Sequence, residues 1–250
     1  SMLNEVISKA SFLEGGSRIQ DKSSLYHYEG MYNFTEKFNK KLEMIVGASY
    51  QIYALNSEGT LFALKADGSE QSINEYGGYI QVGKKMFADK LTGSMRYDKN
   101  ENFEGQFSPR LSGVLTQGRS NFRASYQTGF RIPSTQDQFI NLNTPQARLL
   151  GGLPVVQDRY KLSGNSFTLQ SLQAGKPEMY TAREWKPEQV KTIEFGYKGF
   201  LGDKLLADFY VYQSNYLNFN AAMTVVQLPS QHKDATVVGN KVYNFPSNVQ

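Results

Sequence analysis

Ile193-Glu194-Phe195-Gly196-Tyr197-Lys198 and, after a short turn, Leu205-Leu206-Ala207-Asp208-Phe209-Tyr210-Val211-Tyr212 decide the fold of this chain. Successive side chains of an extended strand point to opposite faces. Ile193, Phe195 and Tyr197 therefore share one face with Leu205, Ala207, Phe209 and Val211, while Glu194, Lys198, Asp208, Tyr210 and Tyr212 take the other. A three-residue turn at 202 to 204 sets Lys198 opposite Asp208. Such an opposite-charge pair contributes about 0.2–1 kcal/mol and helps to fix the register.

The same alternation runs outward through the chain. Strands are expected over about 25–36, 40–53, 75–87, 90–98, 107–118, 121–131, 188–201 and 205–219. On their aromatic and aliphatic faces no Lys, Arg, Asp or Glu stands in mid-strand. That matters because a midplane Lys or Arg facing lipid costs about 2–4 kcal/mol. Arg96, Arg110, Arg123, Glu194, Lys198 and Asp208 all fall on the opposite, lumen-facing side. A two-residue turn at Arg119-Ser120 is expected to pair Thr116 with Arg123.

Tight turns near Lys37 to Asn39, Ala88-Asp89, Arg119-Ser120 and Gly202 to Lys204 alternate with excursions over about 54–74, 99–106, 132–187 and 220–241. In an antiparallel meander this gathers short turns at one rim and long loops at the other, as in an outer-membrane barrel. The expected fold is all-β: an antiparallel up-and-down meander forming a segment of a large transmembrane β-barrel with long extracellular loops. Asp67-Gly68 is a hairpin-tip signal that would extend its strands beyond the membrane. Near the end of the sequence, another strand is expected to begin at Tyr243-Asn244-Phe245.

Composition narrows the function classes. No run reaches the 18 or so apolar residues of a helical span. Cysteine is absent, which excludes disulfides and thiolate metal sites. A net charge of +4, with its Lys40-Lys41 and Lys84-Lys85 pairs at turns, gives no nucleic-acid footprint. Only His27 and His232 are present, and no P-loop, HExxH or dinucleotide fingerprint occurs, so we expect no catalytic residues, no metal and no cofactor. Asp98 to Glu104 lacks the Gly and the bidentate Glu of a calcium loop. Ser1-Met2 reads as a tag-cleavage scar, so the lack of a signal peptide carries no information on localisation.

Arg96-Tyr97-Asp98, Phe107-Ser108-Pro109-Arg110, Phe122 to Tyr126 running into Gly129-Phe130-Arg131-Ile132-Pro133, Lys186 to Gln189, Glu194 to Lys198 and Ala207 to Tyr212 follow one another in order. Over about residues 75–219 this series resembles the later barrel strands of TonB-dependent outer-membrane receptors. The resemblance implies that residues 1–250 are a partial receptor barrel in the outer membrane. It further implies a plug domain within the lumen, a TonB complex as energy source, and import of a nutrient such as a siderophore, glycan or peptide. The chain departs from the family pattern in showing no plug, no TonB-interacting segment and no terminal aromatic strand.

The excursion 132–187 is the expected binding region, since structureless loops of that length are usually functional or disordered. Arg148, Arg159, Tyr160, Tyr180, Arg183 and Trp185 are its candidate ligand contacts, suited to stacking on sugars or gripping an acidic ligand. The aromatics could equally anchor the loop to its neighbours. Two other readings stay open: a soluble or surface β module that binds glycan or protein with its aromatic face as a dry core, and a small passive porin of eight strands closed between first and last.

Overall fold

The computed structural model describes residue 4 and residues 18–35, 37–38, 40–86, 89–202, 204–228 and 241–248. His232, Ser1-Met2 and parts of three expected tight turns (Asn39, Ala88 and Asp203) lie outside the described residues. Eight long strands form one antiparallel meander: β1 (Ser24–Asn33), β2 (Leu42–Ala54), β3 (Ser72–Met86), β4 (Asp89–Asn100), β5 (Gln106–Gln117), β6 (Ser120–Arg131), β10 (Glu188–Leu201) and β11 (Leu205–Leu217). Each pairs with its sequence neighbour, and β6 pairs with β10 across the long excursion.

The register follows from the alternation. Lys198 stands opposite Asp208, as the three-residue turn requires. The β5–β6 turn differs from expectation: Thr116 faces Asn121, and Arg123 faces Val114. The cause is Gly118, whose φ of +58° suits a left-handed position that other residues seldom adopt, so that the two-residue turn is Gly118-Arg119. The slip is two residues in pair sum, so both side chains keep the polar face.

Among the described residues, the only charged ones on the outward face are Lys84 and Asp89 near the tight turns and Lys99 and Lys191 near the opposite rim. Between them lie rows such as Ile80–Met95–Pro109 and Ala124–Phe195–Val211. Among the described residues no second sheet covers this face: Phe195 is 58%, Phe209 60% and Val211 66% exposed. Among the described residues this face forms no dry core of the kind a soluble sandwich requires. Nor does the sheet close, for β1 and β11 are its two ends, and the ladder that an eight-stranded porin needs does not form among the described residues.

On the inward face, glycine lets long side chains lie against the wall. The Tyr79 ring covers Gly47, where a Cβ would stand 2.4 Å from it, and Arg123 lies over Gly196 at 2.3 Å. Both glycines are there for close approach.

The loops build a second body at one rim. β7 (Asn141–Asn143), β8 (Arg148–Leu150), β9 (Phe167–Thr168), β12 (Asn220–Gln227) and β13 (Lys241–Asn248) form a five-stranded sheet in the order β7-β8-β13-β12-β9. Three short helices join it: α1 (Thr135–Phe139), α2 (Pro154–Gln157) and α3 (Leu169–Gln173). Ser134 and Asp137 close α1 with a reciprocal capping box. The excursion 132–187 is thus structured, and Tyr243-Asn244-Phe245 belongs to a cap strand paired with β12 instead of opening a ninth wall strand. Asp67-Gly68 makes a local turn, with the Gly68 N–H donating to the Lys65 carbonyl at 3.0 Å, and extends no wall strands.

The hydrophobic core lies here. Leu55, Phe62, Phe103, Phe139, Leu150, Val156, Leu162, Val225 and Phe245 pack together with Ile73 from the rim end of β3. Four separate excursions therefore bury apolar surface only against one another and the strand ends.

Candidate functional site

The lumen wall carries charges that mostly pair with one another. Arg123 Nη2 donates to Asp208 Oδ1 at 3.0 Å, and Lys198 Nζ reaches Asp208 Oδ2 at 3.2 Å. Arg96 grips Asp98 through Nε at 2.7 Å and Nη2 at 2.6 Å. Arg110, opposite Ser94 and Gln127, and Glu194, opposite Ser125 and Tyr212, form no ion pair among the described residues. Glu75, also inward, meets the Asn100 amide at 2.6 Å and likewise forms no ion pair among the described residues.

In the cap, the β7–β8 hairpin brings Arg148 back beside Asn141. Arg148 Nη1 donates to Asn141 Oδ1 at 3.0 Å and to the Tyr160 hydroxyl at 2.6 Å. Its guanidinium lies 4.9 Å from the Tyr160 ring centroid, a cation–π geometry. Tyr160 in turn donates to Asn141 Oδ1 at 2.8 Å and packs 5.5 Å from Tyr243. A cavity of about 350 Å³ opens here between Asn143, Thr144, Arg148, Tyr160, Lys241 and Tyr243. Burial pushes the Tyr243 hydroxyl above its usual pKa, against the opposing pull of Arg148. Two cations, Arg148 and Lys241, thus flank an aromatic floor.

The remaining candidates separate. Arg159 ties the excursion to the second loop by donating to the Leu64 carbonyl. Tyr180 is 6% exposed, packs 5.3 Å from Phe245 and donates to Gln157 Oε1 at 2.9 Å. Burial pushes its pKa up to about 12. Trp185 stands edge-on to Phe103 at 5.3 Å and donates through Nε1 to Asn220 Oδ1 at 2.9 Å. These two aromatics are placed as anchors. Arg183 is exposed and lines a second cavity, of about 530 Å³, beside β12. Sequence reasoning passed over Asn141, Lys241, Asn220 and Asn248, the polar residues on which the cap turns. Asn248 Nδ2 alone contacts the Lys186 and Asn218 carbonyls and Asn220 Oδ1. No periodicity marks such residues, because their partners lie in other loops.

A charge-free outer belt, a polar inner wall and a folded cap at one rim define the class: part of a large transmembrane β-barrel. Residues 6–244 match the family model described as TonB dependent receptor-like, beta-barrel, and the chain belongs to that family. No curated protein matches it. Among solved structures it is similar to the siderophore receptor PirA from Pseudomonas aeruginosa, at 17% identity and a TM-score of 0.62, over 93% of this chain and 38% of that one. It is similar also to a variant of the ferric enterobactin receptor PfeA from the same organism, at 15% identity and a TM-score of 0.60, over 91% of this chain and 31% of that one. PirA from Acinetobacter baumannii matches at 12% identity and a TM-score of 0.52, over 96% of this chain and 35% of that one. The chain therefore spans about a third of the length of these receptors, and at such identities the likeness is one of fold.

Proposed function

We propose that this chain is barrel wall and extracellular cap of an outer-membrane receptor that imports a nutrient and catalyses no bond change. The outward belt carries the proposal, since its rows present only uncharged side chains to the surroundings over the middle of every strand. Family membership supports the receptor role. In the complete protein a plug domain fills the lumen and answers Arg110 and Glu194 with opposite charges, and the TonB complex supplies the energy. The cargo is a small nutrient of the siderophore, glycan or peptide kind, met first at the cap, where the Arg148–Tyr160 cluster suits an anionic group beside a ring.

The test uses the single tryptophan. The chain is refolded into bilayers containing brominated lipid, which quenches indole emission at short range. Trp185, in the cap, should stay bright, whereas Phe209→Trp in a Trp185→Phe background should be quenched strongly. A stable monomer in plain buffer, or an unquenched indole at 209, would sink the membrane reading.

A further inference from the structure

The cap sheet is incomplete along the β9 side of β12. β9 pairs only with the far part of β12, Phe167 opposite Val226 and Thr168 opposite Val225, before the chain turns into α3. Ala221 to Thr224 therefore have β13 on one side and, among the described residues, no strand on the other. The direction of their backbone groups follows from one residue. Pro246 stands opposite Ala222 and has no N–H. In an antiparallel ladder, pairs that exchange both hydrogen bonds alternate with pairs that exchange none, so Ala222–Pro246 is of the second kind. The same then holds for Thr224–Asn244 and for Val226–Val242. Val226 directs its groups at β9, and Ala222 and Thr224 direct theirs at the gap.

That gap is the cavity of about 530 Å³, with the β12 edge along one side and Met179 to Arg183 along the other. α3 bounds one end, and the Trp185–Asn220–Asn248 group bounds the other. Four residues of extended backbone span about 13 Å. Each end carries a charge. Glu178 lies at the α3 end, its carbonyl accepting from the Thr168 N–H at 3.1 Å, while Arg183 lies two residues before Trp185. Neither side chain forms an ion pair among the described residues.

We propose that this gap binds a short free peptide, added to β12 as the missing continuation of β9. Only an extended polypeptide repeats an N–H and a C=O at the two-residue spacing of Ala222 and Thr224. The charges fix its direction: ammonium toward Glu178, carboxylate toward Arg183. That polarity is antiparallel to β12, the same as β9 itself. A four-residue gap bounded by a charge at each end suits a free peptide better than a strand within a folded partner. The inference rests on the receptor reading and selects the peptide among its cargo classes, yet it is tested by binding alone, so failed membrane insertion and failed peptide binding are separate outcomes.

The test is calorimetric titration of the refolded full chain, in detergent micelles, with the tetrapeptide Thr-Val-Thr-Val. Binding should weaken at least tenfold when alternate peptide nitrogens are methylated, and at least tenfold when the peptide ends are acetylated and amidated. Ala222→Pro removes the inward-pointing donor without breaking the β12–β13 ladder and should abolish binding. Glu178→Gln and Arg183→Gln, which keep the backbone intact, should each weaken the free peptide and leave the blocked one unchanged. Unaltered Trp185 emission checks that the cap is folded in every variant. No binding of the free peptide, or equal binding of its methylated and unmethylated forms, would overturn the proposal.

Discussion

The wall and the cap are made from one chain by opposite means. The wall has two exposed faces and takes its order from backbone pairing between sequence neighbours, with lipid expected to cover what the protein does not. The cap has the buried core, and its strands are as short as Phe167–Thr168. The difference teaches where specificity is stored: in local alternation for the wall, and in side-chain packing between distant loops for the cap. A perturbation of one body should therefore leave the other standing.

The largest effect should come from Phe245→Ala. Phe245 is 1% exposed and holds Tyr180, and emptying such a site typically costs about 3–5 kcal/mol. We expect Trp185 emission to shift to the red and loops at the rim to become protease-sensitive, while the heat-modifiable mobility of the wall on gels is kept. Loss of both together would show that the bodies fold as one.

Next is Met95→Lys, in the middle of the outward belt. Denaturant unfolding from bilayers should show a loss of about 2–4 kcal/mol. Thr92→Lys, inward on the same strand and near Glu43, should cost little, because the lumen side is polar. Equal costs would contradict the assignment of faces.

The smallest effect contrasts two wall glycines. Gly47→Ala forces the Tyr79 ring off the wall and should cost about 1–3 kcal/mol, whereas Gly30→Ala meets nothing within 4 Å and should be near neutral by the same measurement. A neutral Gly47→Ala would mean that Tyr79 has another place to go.

The same division explains how far the sequence could be read. Period-two alternation gives each wall strand a local signature, so faces and the Lys198–Asp208 pairing could be deduced before any coordinates. Pairing near Arg119 was misjudged because the left-handed residue is Gly118, one position earlier. The cap has no such signature. β7, β8 and β9 have only two or three residues each, too few for a period to show, and their neighbours come from other excursions. Tyr180 and Trp185 have the composition of a sugar-stacking surface and the position of a core, and only packing separates the two. Arg148 and Tyr160 did come together, through Asn141, which no pattern distinguished.

One pairing sets a clock for the molecule. β8 lies parallel to β13, joining Arg148 to Tyr243 and Leu149 to Asn244. A loop that long must close before its contacts repay the lost chain entropy, and such contacts form slowly. The β10–β11 hairpin lies wholly within that loop and can zip from its own turn meanwhile. The cap is thus finished later than the wall hairpins, and its core lacks Tyr243 and Phe245 until β13 docks.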